Sequence, residues 1–125
     1  MTRLLIIDDD EDIRAALAAW LLRKGYAVET AGDGKEGLET LARGGFDLVV
    51  TDIIMPDKEG IETILQIRRD HPDLPVIAMS GGGRTEAADL LRPASHLGAN
   101  ATLTKPFRAS ELAALIEQLL AVGEG

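Results

Sequence analysis

The stretch Leu4-Leu5-Ile6-Ile7-Asp8-Asp9-Asp10-Glu11 sets four apolar residues directly against four acids. A short apolar run near the start of a chain reads as a strand buried on both faces. The acids then stand where that strand leaves the sheet. Neighbouring carboxylates repel and raise one another's pKa, so so much like charge at one point calls for a positive partner. The remainder of the chain can be searched for that partner.

Working outward, the same alternation repeats. A helix from about Asp12 to Lys24 carries Ile13, Leu17, Trp20 and Leu21 on one stripe, with Asp10 or a neighbour as its cap and Gly25 as its stop. Tyr26–Ala31 reads as a strand, Gly32-Asp33-Gly34 as a turn, and Lys35–Ala42 as a helix ended by Gly44-Gly45. Asp47–Thr51 is a strand followed directly by Asp52. After Met55-Pro56-Asp57, Gly60 precedes a helix bearing Ile61, Ile64, Leu65 and Ile67. Pro75–Met79 is a strand followed by Ser80 and three glycines. A fourth helix is expected over about Glu86–Leu97, interrupted by Pro93. Ala101–Leu103 is a short strand before Thr104-Lys105-Pro106, and a last helix starts near Arg108 or Ser110. Five strands alternating with five helices predict an α/β fold with a parallel sheet and right-handed crossovers.

Composition narrows the function. At 125 residues the chain is one domain, and the only candidate for a tether is Gly123-Glu124-Gly125, so the domain is placed at residues 1–122 with a tail at 123–125. A net charge of -8 argues against direct nucleic-acid binding. Cysteine is absent and His71 and His96 are the only histidines, which excludes a disulfide framework and disfavours zinc. No apolar run approaches the roughly 18 residues of a membrane span. The N-terminus lacks signal-peptide architecture, and a cytoplasmic location is expected.

In a parallel sheet the residues that follow each strand gather at the carboxyl edge, where open α/β sheets bind ligands. Here they are Asp8, Asp9, Asp52, Ser80 and Lys105. Oxygen ligands without Cys or His select a hard cation, Mg²⁺ above others, and Mg²⁺ favours phosphate oxygens. Lys105 and the Ser80 hydroxyl could hold a phosphoryl group.

Four motifs in order, Leu5-Ile6-Ile7-Asp8-Asp9-Asp10, Val50-Thr51-Asp52-Ile53-Ile54-Met55-Pro56 with Gly60, Val76-Ile77-Ala78-Met79-Ser80 and Leu103-Thr104-Lys105-Pro106-Phe107, cover essentially the whole chain. Together they resemble the receiver domain of two-component response regulators, of the stand-alone kind similar to the chemotaxis regulator. The resemblance implies a flavodoxin-like, doubly wound five-stranded parallel sheet of order 2-1-3-4-5 with five helices. It implies Asp52 as the phosphoacceptor for a sensor histidine kinase, a phosphotransfer protein or a small donor such as acetyl phosphate. It implies Asp9, Asp52 and the backbone carbonyl of Ile54 as Mg²⁺ ligands, with Asp8 acting through water or as an orienting partner. Lys105 pairs with Asp52 and then with the phosphoryl oxygen, Ser80 donates to that group, and Lys105–Pro106 is cis. The module catalyses its own phosphorylation and slow dephosphorylation, switches a surface read by a downstream protein target, or relays phosphate onward.

Two positions depart from the family pattern. Thr102 stands where the family carries a switch aromatic, so switching is expected in Ser80, its loop and the fourth helix. Ser80-Gly81-Gly82-Gly83-Arg84 forms an unusually glycine-rich loop, a flexible turn or an anion nest. Ile54 and Gly82 offer nothing to orient an attacking water, so the phosphoryl group is expected to be long-lived.

Competing readings are weaker. Gly32-Asp33-Gly34-Lys35-Glu36-Gly37 fits the dinucleotide fingerprint, but it follows the second strand and the chain is too short for both halves of that fold. An unphosphorylated scaffold has no use for the acids, Ser80 and Lys105 together. A small Mg²⁺-dependent phosphatase needs a second acid where Ile54 stands.

Overall fold

Leu4, Leu5, Ile6 and Ile7 are all fully buried, as a strand covered on both faces requires. A computed structural model describes residues 2–53, 59–80 and 98–124. Its elements are β1 (Arg3–Ile7), α1 (Glu11–Arg23), β2 (Ala27–Ala31), α2 (Gly34–Ala42), β3 (Leu48–Asp52), α3 (Glu59–Asp70), β4 (Val76–Ser80), β5 (Ala101–Thr104) and α4 (Ala109–Glu124). The expected fourth helix over residues 86–97 lies outside the described residues, which contain four helices. The last helix runs through Glu124, past the start of the expected tail.

All strand pairs are parallel and the order is β2-β1-β3-β4-β5. The three inner strands are the most apolar; β3 and β4 are buried at every position, whereas the edge strands β2 and β5 are mostly half-buried. Alternation within the strands divides the core in two. Leu5, Ile7, Val49, Val76 and Ala78 meet Leu41 of α2 and Ile64 and Ile67 of α3 on one face. Leu4, Ile6, Leu48, Val50, Ile77 and Met79 meet Leu21 of α1 and Leu112 and Ile116 of α4 on the other. Helices therefore cover both faces, the doubly wound arrangement. Trp20 packs half-buried against the second cluster.

Local chemistry sets the helix ends. Asp10 caps α1 by accepting from the amides of Asp12 and Ile13, and Gly25, at φ +99, follows the end of that helix. Asp33 caps α2 through the Glu36 amide, so the Gly32-Asp33-Gly34 turn ends in a helix start. Gly37 lets α2 approach β1, because a Cβ there would run into the Ile7 side chain. No helix among the described residues is long and apolar enough to cross a membrane.

Candidate functional site

The strand register brings the site residues level. Ile7 pairs with Thr51, so Asp8, the next residue, comes beside Asp52 at the end of β3. Asp52 pairs with Met79, which places Ser80 one step further along β4. Ser80 pairs with Thr104, and the Lys105 amide donates to the Ser80 carbonyl at 2.7 Å. Three inner strands and an edge strand thus bring Asp8, Asp52, Ser80 and Lys105 to one rim. β3 extends one residue beyond the expected boundary, so Asp52 is the last residue of the strand and is held by its ladder.

Asp8 is fully buried, Asp52 nearly so, and Asp9 exposed. One carboxylate oxygen from each lies within 4.8 Å of the others. Lys105 supplies the positive partner. Its ammonium donates to Asp8 Oδ2 at 2.8 Å and to Asp52 Oδ2 at 3.0 Å. Burial pulls the lysine pKa down, but the hydrogen bonds to Asp8 and Asp52 and their charges outweigh it, and the group sits above its ordinary value. The Lys105–Pro106 peptide bond is cis, as the resemblance implies.

Asp8 is also held through its other oxygen, which accepts from the Asp10 amide at 2.8 Å. Asp9 is exposed, with a carboxylate oxygen close to the two buried carboxylates. All three donors are hard oxygen ligands, and the cluster contains no sulfur or imidazole, which suits a hard cation.

Ser80 is fully buried and its Oγ has no hydrogen-bond partner among the described residues. A buried hydroxyl left unpaired costs on the order of 1–3 kcal/mol, and such exceptions ask for an explanation. Its position at the rim, beyond Asp52 on the neighbouring strand, makes it a donor available to a group bound there. Thr102 lies half-buried in β5 opposite Ala78. Ile54, Gly82 and Arg84 lie outside the described residues.

Sequence reasoning missed Arg14 and Glu36. Arg14 Nη1 donates to the Asp8 carbonyl at 2.7 Å. Glu36 Oε2 accepts from the Gly32 amide at 3.2 Å. Helix geometry held the signal for the first. Side chains tilt toward the helix N-terminus, so an arginine four residues after the cap Asp10 reaches back over the acidic loop.

Comparison with known proteins agrees with this geometry. The family model for the response regulator receiver domain matches residues 4–117. The transcriptional regulatory protein DltR of Streptococcus agalactiae is 37% identical over 114 residues, covering 91% of this chain and 50% of the relative. The chain therefore spans about half the length of this relative and of several others it matches. A CheY-like response regulator receiver domain protein from Methanospirillum hungatei superposes with a TM-score of 0.89 at 31% identity, covering 99% of this chain and 97% of that one. The response regulator TrrA from Thermotoga maritima, solved in complex with Mg²⁺ and BeF, superposes with a TM-score of 0.82 at 32% identity, covering 95% and 99%. With its five parallel strands in the order 2-1-3-4-5 and its acid-lined rim, the chain belongs to the response regulator receiver domains of two-component signalling.

Proposed function

We propose that Asp52 accepts a phosphoryl group from a sensor histidine kinase or phosphotransfer protein in a Mg²⁺-dependent step. The observation that carries the reading is the Lys105 bridge to both Asp8 and Asp52. It neutralises the nucleophile's surroundings at rest and leaves an ammonium beside the oxygens that arrive.

Asp9 and Asp52 would hold the ion, with the Ile54 carbonyl completing the protein's ligands and Asp8 acting through water or as an orienting partner. When bound, Mg²⁺ offsets the charge on the transferring oxygens. The Asp52 carboxylate attacks phosphorus in line with the donor. The new P–O bond forms as the donor's P–N bond breaks, and the bonding pair stays on the imidazole nitrogen. Lys105 then moves its hydrogen bond from Asp52 to a phosphoryl oxygen, and the Ser80 hydroxyl donates to another. The domain, residues 1–122, catalyses its own modification, and slow hydrolysis returns it to rest.

Phosphorylation adds about two negative charges and biases a surface that a downstream protein reads or from which phosphate is relayed. Thr102 in place of an aromatic puts that switch in Ser80 and the segment after it. The same reading places the domain in the cytoplasm and without direct contact to nucleic acid.

The test is intact mass after incubation with acetyl phosphate, with and without Mg²⁺, beside Asp52→Asn. One Mg²⁺-dependent phosphoryl adduct, absent in the variant, is expected. No adduct from acetyl phosphate or from a phosphorylated histidine donor, together with no Mg²⁺ binding, would favour the scaffold reading.

A further inference from the structure

We infer that Arg14 is a positioning residue for the cation site: its guanidinium fixes the Asp8–Asp9 peptide plane, and so aims the exposed carboxylate of Asp9. The inference rests on the proposed Mg²⁺ reading and extends it to a residue that touches neither the ion nor the phosphoryl group.

Residue 8 is gripped on every side. Its amide donates to the Ala31 carbonyl at 3.1 Å, and its carboxylate accepts from the Asp10 amide and from Lys105. Its carbonyl oxygen, the remaining polar atom, accepts from Arg14 Nη1 at 2.7 Å. That carbonyl and the Asp9 amide share one rigid peptide plane. Whatever holds the carbonyl therefore sets the direction from which Asp9 departs. Asp9 is exposed and no protein donor to its carboxylate is seen among the described residues, so its aim depends on its backbone.

Arg14 is itself fixed. Its main-chain amide donates to the Asp10 carbonyl at 3.0 Å, within the first turn of α1. Its guanidinium lies against Gly32, where a Cβ would come within 3.3 Å of Nη1. The Gly32 amide is in turn taken up by Glu36 of α2. The arginine thus lies between the loop after β1, to which it is bonded, and the turn after β2, where the lack of a side chain at Gly32 leaves it room.

Charge and position make opposite predictions, which lets the role be isolated. Arg14 adds a positive charge near a cation site, so by Coulomb's law alone its removal should tighten Mg²⁺ binding. As a positioning group, its removal should weaken binding, in the range of about 10-fold or more seen when partners that orient metal ligands are lost.

The experiment is calorimetric titration of Mg²⁺ into the full chain, beside Arg14→Met, Arg14→Lys and Arg14→Ala, with unfolding midpoints recorded for each. Arg14→Met is expected to bind Mg²⁺ about 10-fold more weakly, and Arg14→Lys, which retains a donor and the charge, to recover most of the loss. Arg14→Ala removes the same donor and places the best helix former within α1. Its weaker binding would carry the inference even if Arg14→Met failed to fold. Unchanged or tighter binding in folded Arg14→Met, or in Arg14→Ala should Arg14→Met not fold, overturns the positioning role alone. A wild-type chain that takes up no Mg²⁺ overturns the metal reading and this inference together.

Discussion

The Lys105 ammonium lies 3.0 Å from Asp52 Oδ2 and joins residues 53 apart in the chain. The pair is almost withdrawn from water, with side-chain exposures of 15% and 6%. Breaking a buried pair by removing one partner typically costs about 3–5 kcal/mol, because the other charge is left uncompensated. Lys105→Met strands two carboxylates rather than one. In EDTA it is expected to lose about 3 kcal/mol by urea unfolding, and added Mg²⁺ should return part of that loss. A variant as stable as wild type in EDTA would show that the bridge contributes nothing to folding.

The pH dependence of that contribution has a fixed sign. Lys105 is raised above its ordinary value of 10.5 in the folded chain. Its contribution is therefore fully present below the unfolded value and is lost as pH rises through the folded one. The stability difference between wild type and Lys105→Met is expected to stay flat from pH 7 to about 10 and to shrink above that. A difference that shrinks between pH 7 and 9 would contradict the raised value.

Ser80 separates stability from function. Its hydroxyl is buried without a partner among the described residues, so Ser80→Ala removes an unmet polar group from them. The variant is expected to match or exceed wild-type stability by up to about 1 kcal/mol while accumulating less phosphoryl adduct. Loss of about 1 kcal/mol or more, with adduct formation unchanged, would identify Ser80 as an ordinary structural hydroxyl.

The pattern of the chain foretold the sheet, and the reasons are specific. The apolar runs in β1, β3 and β4 mark strands buried on both faces, and the acids, Ser80 and Lys105 stand directly at strand ends. Boundaries moved by a residue or two, as at Asp52, because the ladder continues wherever a neighbouring strand offers a partner. What stayed hidden depends on a side chain's reach rather than its place in a pattern. Arg14 looks like any charged residue on a helix surface until the acidic loop is folded back beneath it. Arg68 is the same case at the opposite edge of the sheet.

Among the described residues Arg68 holds no acid. Its guanidinium donates to the Gly98 carbonyl through Nε at 3.2 Å and Nη2 at 2.6 Å, to the Pro72 carbonyl at 2.6 Å and to Asn100 Oδ1 at 2.9 Å. Asn100 Oδ1 also takes the Val76 amide at 2.9 Å, at the first residue of β4. One side chain thus ties the end of α3 to the entries of β4 and β5. Arg68→Met should cost about 2 kcal/mol, since several carbonyls lose a charged donor at once. Arg68→Lys should recover less than half, because a single ammonium cannot span acceptors arranged around a planar fork. Urea unfolding measures both, and amide exchange at Asn100 and Val76 should quicken in step with the loss. Equal stability in all three chains would mean that these carbonyls are served as well by water.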